Sequence, residues 1–211
     1  MANTVYTVGH STHPIRYFLE LLSAHSITAL VDVRSSPYSR FNPQFNREDL
    51  KKRTRENRMK YVFLGEELGA RSDDPDCYVD GRVDYHRLAA TEVFKSGIAR
   101  VAKGSEDFTI AIMCAEKEPL ECHRTILVAR HLIEQGMSVM HILADGSLEP
   151  HELCVRRLLS MHRLGASDFF RSEEDAVAEA YDKQGKIIAY EQSDTGSPNR
   201  QRRQSVAGDA S

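Results

Sequence analysis

The stretch Phe108 to Leu143, FTIAIMCAEKEPLECHRTILVARHLIEQGMSVMHIL, decides the fold. It opens on a short apolar run, Phe108 to Met113, that reads as a central strand buried on both faces. A polar loop comes next, and then apolar positions at helical spacing predict a helix over Cys122 to Gln135, closed by Gly136. Ser138 to Leu143 returns as another strand. Strand, loop, helix and strand in this order form the repeating unit of a parallel sheet covered by helices.

The same alternation continues upstream. Val5 to Val8, ending at Gly9, and Thr28 to Val33 read as buried strands. Between them Thr12 is placed to cap a helix through Pro14, Tyr17, Phe18, Leu21 and Leu22, which predicts a compact βαβ unit. Next come the turn-rich Ser35 to Pro43, a charged helix over Asn46 to Asn57, a strand over Lys60 to Leu64, a polar loop from Gly65 to Gly81 and a helix over Val83 to Ala102. Downstream, Glu149 to Leu164 and Ser172 to Tyr181 read as helices, the second opened by a capping-box-like pair of Ser172 and Asp175. Lys186 to Tyr190 is expected as an added edge strand. The expectation is an α/β fold: one three-layer domain over 4–190 with a mostly parallel central sheet flanked by helices. A polar tail over 191–211, with almost nothing to bury, is expected to be disordered.

A chain of 211 residues, 41% hydrophobic, suits one domain with a sizeable core. It contains no internal repeat. Met1 to Thr4 leads straight into a strand, and no stretch of about 18 apolar residues occurs, so a cytoplasmic location and no membrane partner are expected. Four cysteines, Cys77, Cys114, Cys122 and Cys154, are too few and too dispersed for a disulfide framework and are expected to be reduced. The formal charge of −3 is unevenly spread: Arg34 to Lys60 holds nine bases against three acids, +6 locally, leaving −9 for the rest. Such a segment is either a footprint for phosphate-bearing partners or a solvated helix face.

CAEKEPLECHR, Cys114 to Arg124, gathers two cysteines, a histidine, an arginine and Glu116 where a strand ends and a helix begins. That edge is where α/β proteins place their chemistry, and the free N–H groups of a helix start favour thiolates and phosphates. The catalytic set expected here is Cys114, Glu116, Cys122 and His123. The bland reading has the cysteines as small buried hydrophobes and His123 as a satisfied core histidine. A phosphatase loop needs a cysteine, a five-residue spacer and then an arginine, and at that place this chain has Leu120. A zinc ribbon needs a second CxxC pair, and no Walker loop or dinucleotide glycine fingerprint is present. No cofactor is predicted, and zinc or iron at Cys114, Cys122, His123 and a remote His10 stays open.

His10 ends the first strand, in TVGHS, and Asp32, Arg34, Ser35 and Ser36 end the second, in VDVRSSPYSR. In a parallel sheet these ends share an edge with Cys114. His10, Arg34, Arg40 and Arg124 are the expected substrate-binding residues, arginine being suited to bidentate phosphate contact. Asp32 reads equally as a structural acid pairing with Arg34. Tyr38, Arg40, Phe41 and Phe45 interleave aromatics with bases, a pattern of base stacking or of loop packing.

TVGHS, LVDVRSSPYSR, LGEELGAR at Leu64 to Arg71, CAEKEPLECHR and VMHIL at Val139 to Leu143 together resemble the bacterial family called domain of unknown function 488, DUF-488. One departure is Gly69-Ala70, where the family pattern often has two glycines. The resemblance implies an α/β domain and a shared site at His10, Arg34, Cys114, Glu116, Cys122, His123 and Arg124, and carries no reaction with it. Two functional readings remain. In one, the chain is an enzyme acting on a nucleotide, nucleic acid or other phosphate-bearing substrate, with a cysteine as nucleophile or redox centre. In the other, the same residues form a non-catalytic metal-binding or nucleic-acid-binding regulatory module.

Overall fold

The computed structural model describes residues 3–164 and 172–192, so the expected tail beyond residue 192 lies outside the described residues. The order is β1 (Thr4–Gly9), α1 (Ile15–Ala24), β2 (Ala29–Asp32), α2 (Arg47–Glu56), β3 (Lys60–Phe63), α3 (Gly65–Leu68), β4 (Tyr78–Val79), β5 (Arg82–Val83), α4 (Tyr85–Ala90), α5 (Glu92–Gly104) and β6 (Ile110–Cys114). A π-helical stretch (Arg124–Ala129) then runs into α6 (Arg130–Glu134), succeeded by β7 (Ser138–Ile142), β8 (Leu148–Pro150), α7 (His151–Met161) and α8 (Glu173–Ile188).

Six strands form one sheet in the order β3-β2-β6-β1-β7-β8, parallel except for β8, which runs antiparallel to β7. The α/β class and the mostly parallel sheet are therefore as expected, but β1 and β2 do not pair. Strand β6, buried at all five positions, lies between them and bonds to both. The two-residue alternation of strands divides the core. Val5, Ala29, Val31, Ile110, Ile112 and Val139 pack beneath α3, α4, α5 and α6, whereas Val8, Leu30, Ala111, Met113 and Ile142 pack beneath α1 and α2. Helices α7 and α8 close a third cluster around Leu120, Ile126, Cys154 and Tyr181.

Several boundaries differ from expectation, each for a local reason. Thr12 does not cap α1, which starts after Pro14 without a side-chain cap. The helix expected over Val83 to Ala102 breaks at Thr91, whose hydroxyl accepts from the Phe94 N–H and so starts α5 anew. Residues Lys186 to Ile188 are the last turn of α8 and not an edge strand, because Tyr181, Gln184 and Gly185 continue its buried stripe. Pairing is delayed to Glu191, which bridges to Arg82. Ser172 and Asp175 do form the reciprocal cap: the Ser172 hydroxyl accepts from the Asp175 N–H at 3.0 Å and donates to its carboxylate at 2.8 Å.

Candidate functional site

Parallel register brings the distant strand ends together. Gly9 is opposite Cys114 and Asp32 is opposite Met113, so residues just beyond β1, β2 and β6 meet at one sheet edge. The chain after β6 passes hard against the end of β1: a Cβ on Gly9 would sit 1.9 Å from the Glu116 carbonyl oxygen. Only glycine allows that approach. The N–H groups of His10 and Ser11 continue the ladder by donating to the carbonyls of Cys114 and Ala115 at 2.9 Å.

After a short turn over Pro119 to Glu121, Cys122 takes extended backbone angles, and its carbonyl accepts from the Ile126 N–H at 3.1 Å while its Sγ accepts from the Arg124 N–H at 3.4 Å. This is the geometry of a helix N-cap with sulfur in the place of oxygen. The helix that Cys122 opens is π-helical and wholly buried over its first six residues, a local widening that sequence periodicity does not register.

Three ligand-type atoms converge beside this cap. His123 donates through Nε2 to the Val33 carbonyl at 3.1 Å, which turns Nδ1 toward Cys114 Sγ at 3.7 Å and Cys122 Sγ at 3.9 Å. All three side chains are buried, and their ligand atoms lie within 4.8 Å of one another. Glu116 completes the cluster, its Oε2 2.9 Å from Cys122 Sγ. The two thiols differ. Burial pushes the Cys114 thiol up, and the neighbouring Cys122 and Glu116 push it further. Burial also opposes a charge on Cys122, yet the Cys114 thiol, the Arg124 guanidinium and the His123 ring outweigh it and hold Cys122 well below the usual thiol range. Burial and the neighbouring Cys122 push the Glu116 carboxyl up, across the 2.9 Å contact in which the Cys122 thiol donates to Oε2.

The guanidiniums have other duties. Arg34 makes a two-pronged pair with Asp32, Nε to Oδ1 at 2.9 Å and Nη2 to Oδ2 at 2.7 Å, and donates to the Phe45 carbonyl at 2.8 Å. Its Nη1 donates to His10 Nε2 at 3.1 Å, and His10 Nδ1 in turn donates to the Ser11 carbonyl at 2.8 Å. His10 also stacks on Phe45 at 4.2 Å. Burial, with Arg34 alongside, lowers His10 to about 4, so it stays neutral and accepts from Arg34. Arg124, fully buried, donates to the carbonyls of Glu116 at 2.7 Å and Lys117 at 3.2 Å and so clamps the loop that carries Glu116.

A cavity of about 300 Å³ opens onto the cluster, lined by Cys114, Glu116 and His123 from below and by Arg34, Ser35, Ser36, Arg71 and Tyr85 around it. Cys122 is not on its wall, and neither is Arg40, which is exposed on the loop before α2. Ala70, at the departure from the double glycine, lines the cavity, whereas Gly69 has no room for a side chain, since a Cβ there would lie 2.2 Å from the Gly65 carbonyl oxygen. Tyr85 and Arg71 were not among the expected site residues. The Tyr85 hydroxyl is buried without a hydrogen-bond partner among the described residues, and burial together with Cys122, Cys114 and Glu116 pushes its pKa up. A tyrosine in an amphipathic helix reads as packing; only the fold reveals its orphaned hydroxyl.

A parallel α/β sheet with a Cys-Cys-His-Glu cluster at its carboxyl edge defines the class. Within that class, the family described as "Domain of unknown function DUF488" matches residues 14–131, more than half of the chain, and the chain belongs to that family. The match includes β2, β6, the cluster and the start of α6, and leaves His10 and β7 outside. No match was found among curated proteins or among solved structures.

Proposed function

We propose that the chain is an enzyme whose reaction centre is the Cys114, Glu116, Cys122 and His123 cluster, with the two sulfurs and His123 Nδ1 as ligands of zinc or iron(II). The observation that carries this reading is the convergence of three buried ligand atoms with the histidine already oriented from behind by Val33. A backbone carbonyl on the far ring nitrogen is the usual outer partner of a metal-bound histidine. Metal bonds of about 2.3 Å to sulfur and 2.0 Å to nitrogen at a tetrahedral angle separate S and N by about 3.5 Å. The distances of 3.7 and 3.9 Å are within a few tenths of that. Two thiolates would balance a divalent charge, which removes the cost of a buried anion on Cys114.

Cys114, Cys122 and His123 would hold the ion, and the ion would supply Lewis acidity to a substrate in the cavity that Cys114 and His123 line. Glu116, which lines the cavity, would take and return a proton at its floor. Ser35, Ser36 and Arg71 offer donors at the mouth, which suits a phosphate-bearing substrate. A Cys122 nucleophile with Arg34 and Arg124 as the phosphate clamp fits less well. Cys122 does not reach the cavity, and both guanidiniums are engaged by Asp32, Phe45, Glu116 and Lys117.

Elemental analysis of freshly purified protein tests the reading. Stoichiometric zinc or iron, lost in Cys114→Ala and in Cys122→Ala, is expected. Protein that is metal-free and takes up neither ion on dialysis would overturn it and return Cys122, with its lowered thiol and adjacent imidazole, to the role of nucleophile.

A further inference from the structure

We propose that the loop from Ser36 to Gln44 and the outer face of α2 form a docking surface for single-stranded nucleic acid. The loop carries Tyr38 at 59% and Phe41 at 90% exposure, with the exposed Arg40 between them. Exposed aromatics are common singly. These two lie on a loop held in place: the Ser39 N–H donates to Asn46 Oδ1 at 2.7 Å, the Arg47 N–H to the Pro37 carbonyl at 3.0 Å, and Phe45 is fully buried against Phe18 and His10. The rings are therefore presented by a structured turn that is continuous with the start of α2.

Helix α2 extends the surface with charge. Lys51, Lys52 and Arg55 on the helix and Arg58 in the turn after it are exposed, and neither they nor Arg40 has an ion pair among the described residues; on this helix only Arg53 is bridged, to Glu56 at 3.6 Å. Lys51 and Arg55 recur at four-residue spacing on the stripe begun by Arg47, whose own guanidinium is half-buried and stacked on the Phe63 ring at 4.3 Å. Like charges so placed disfavour a helix unless an anion neutralises them. A file of free cations beside two exposed rings is what a single strand needs: phosphates on the cations and unpaired bases on the aromatic faces. A duplex hides its base faces and has no use for the rings. The surface leads, through Ser35 and Ser36, to the cavity mouth. The inference stands whether or not the cysteine cluster holds a metal.

Fluorescence anisotropy with labelled oligo(dT) and oligo(U) of about 12 nucleotides, titrated with the full chain, tests it. Five free cations, each contributing a salt slope of about 0.7, predict roughly a hundredfold loss of affinity between about 50 and about 200 mM salt. Tyr38→Ala with Phe41→Ala is expected to weaken binding at least about tenfold at low salt with the slope unchanged. Lys51→Glu with Arg55→Glu is expected to reduce the slope by about 1.4. Both pairs are on the surface, and circular dichroism checks that each variant is folded. No salt-sensitive binding, a duplex held as tightly as a single strand, or full affinity in the folded aromatic variant would overturn the proposal.

Discussion

Two of the buried clusters that histidine forms with its neighbours in this fold are finished differently. On one side of β1, Thr7 Oγ1 meets His141 Nδ1 at 2.7 Å, His141 Nε2 meets His151 Nδ1 at 3.0 Å, and His151 Nε2 meets the Tyr181 hydroxyl at 2.7 Å. Every ring nitrogen in that chain has a partner. At the carboxyl edge, by contrast, His123 points at two sulfurs, the Tyr85 hydroxyl has no partner, and a cavity opens above. A saturated network ties β1, β7, α7 and α8 together; an unsaturated one is built to receive something.

The largest effect that would sharpen the contrast is on pH. Burial holds His151 down to about 4, and burial with His151 and Arg124 nearby holds His141 well below the ordinary range. The unfolded chain takes up these protons near 6.5 and the folded chain resists until about 4. The unfolded state thus binds more protons through that window, and stability falls as pH falls. His151 alone is expected to cost about 3 kcal/mol between those limits. Urea unfolding as a function of pH measures it, together with the similar contribution of His10, and a flat profile would mean that these rings are not shielded from water.

The next effect is smaller and comes from a matched pair. Tyr181→Phe removes a hydroxyl that His151 uses and is expected to destabilise by about 1–2 kcal/mol, because a buried nitrogen loses its partner. Tyr85→Phe removes one that nothing uses, and is expected to leave stability unchanged or raise it by up to about 1 kcal/mol. Equal losses in chemical denaturation would break the comparison, for Tyr85 would then be an ordinary structural hydroxyl.

Much of the fold and part of the site are legible in the sequence. Short β-branched runs ending in Gly9, Arg34 and Cys114 announce strands whose ends carry polar residues, and Glu116 is conspicuous beside the cysteines. The pairing of Arg34 with Asp32, two residues away, is one of the readings the sequence allows. Strand order is not legible, since nothing local says that β6 enters between β1 and β2. The carbonyls of Glu116 and Lys117 that occupy Arg124 are equally hidden, because backbone acceptors leave no mark on composition. Thr91 looks like one more helical residue in the sequence, and only its hydroxyl's contact shows it capping α5.

The place of β6 has a consequence for synthesis. A nascent chain that has emerged as far as α5 already contains β1, α1, β2 and β3, but the gap between β1 and β2 is one strand wide and has no occupant. Both strands then present open edges, which invite pairing with other chains. Only when Ile110 to Cys114 arrives does the sheet become continuous, and the same five residues deliver Cys114 to the cluster. Joining β1 to β2 and delivering Cys114 to the sheet edge are thus one event, reached by closing a loop of most of the chain's first half.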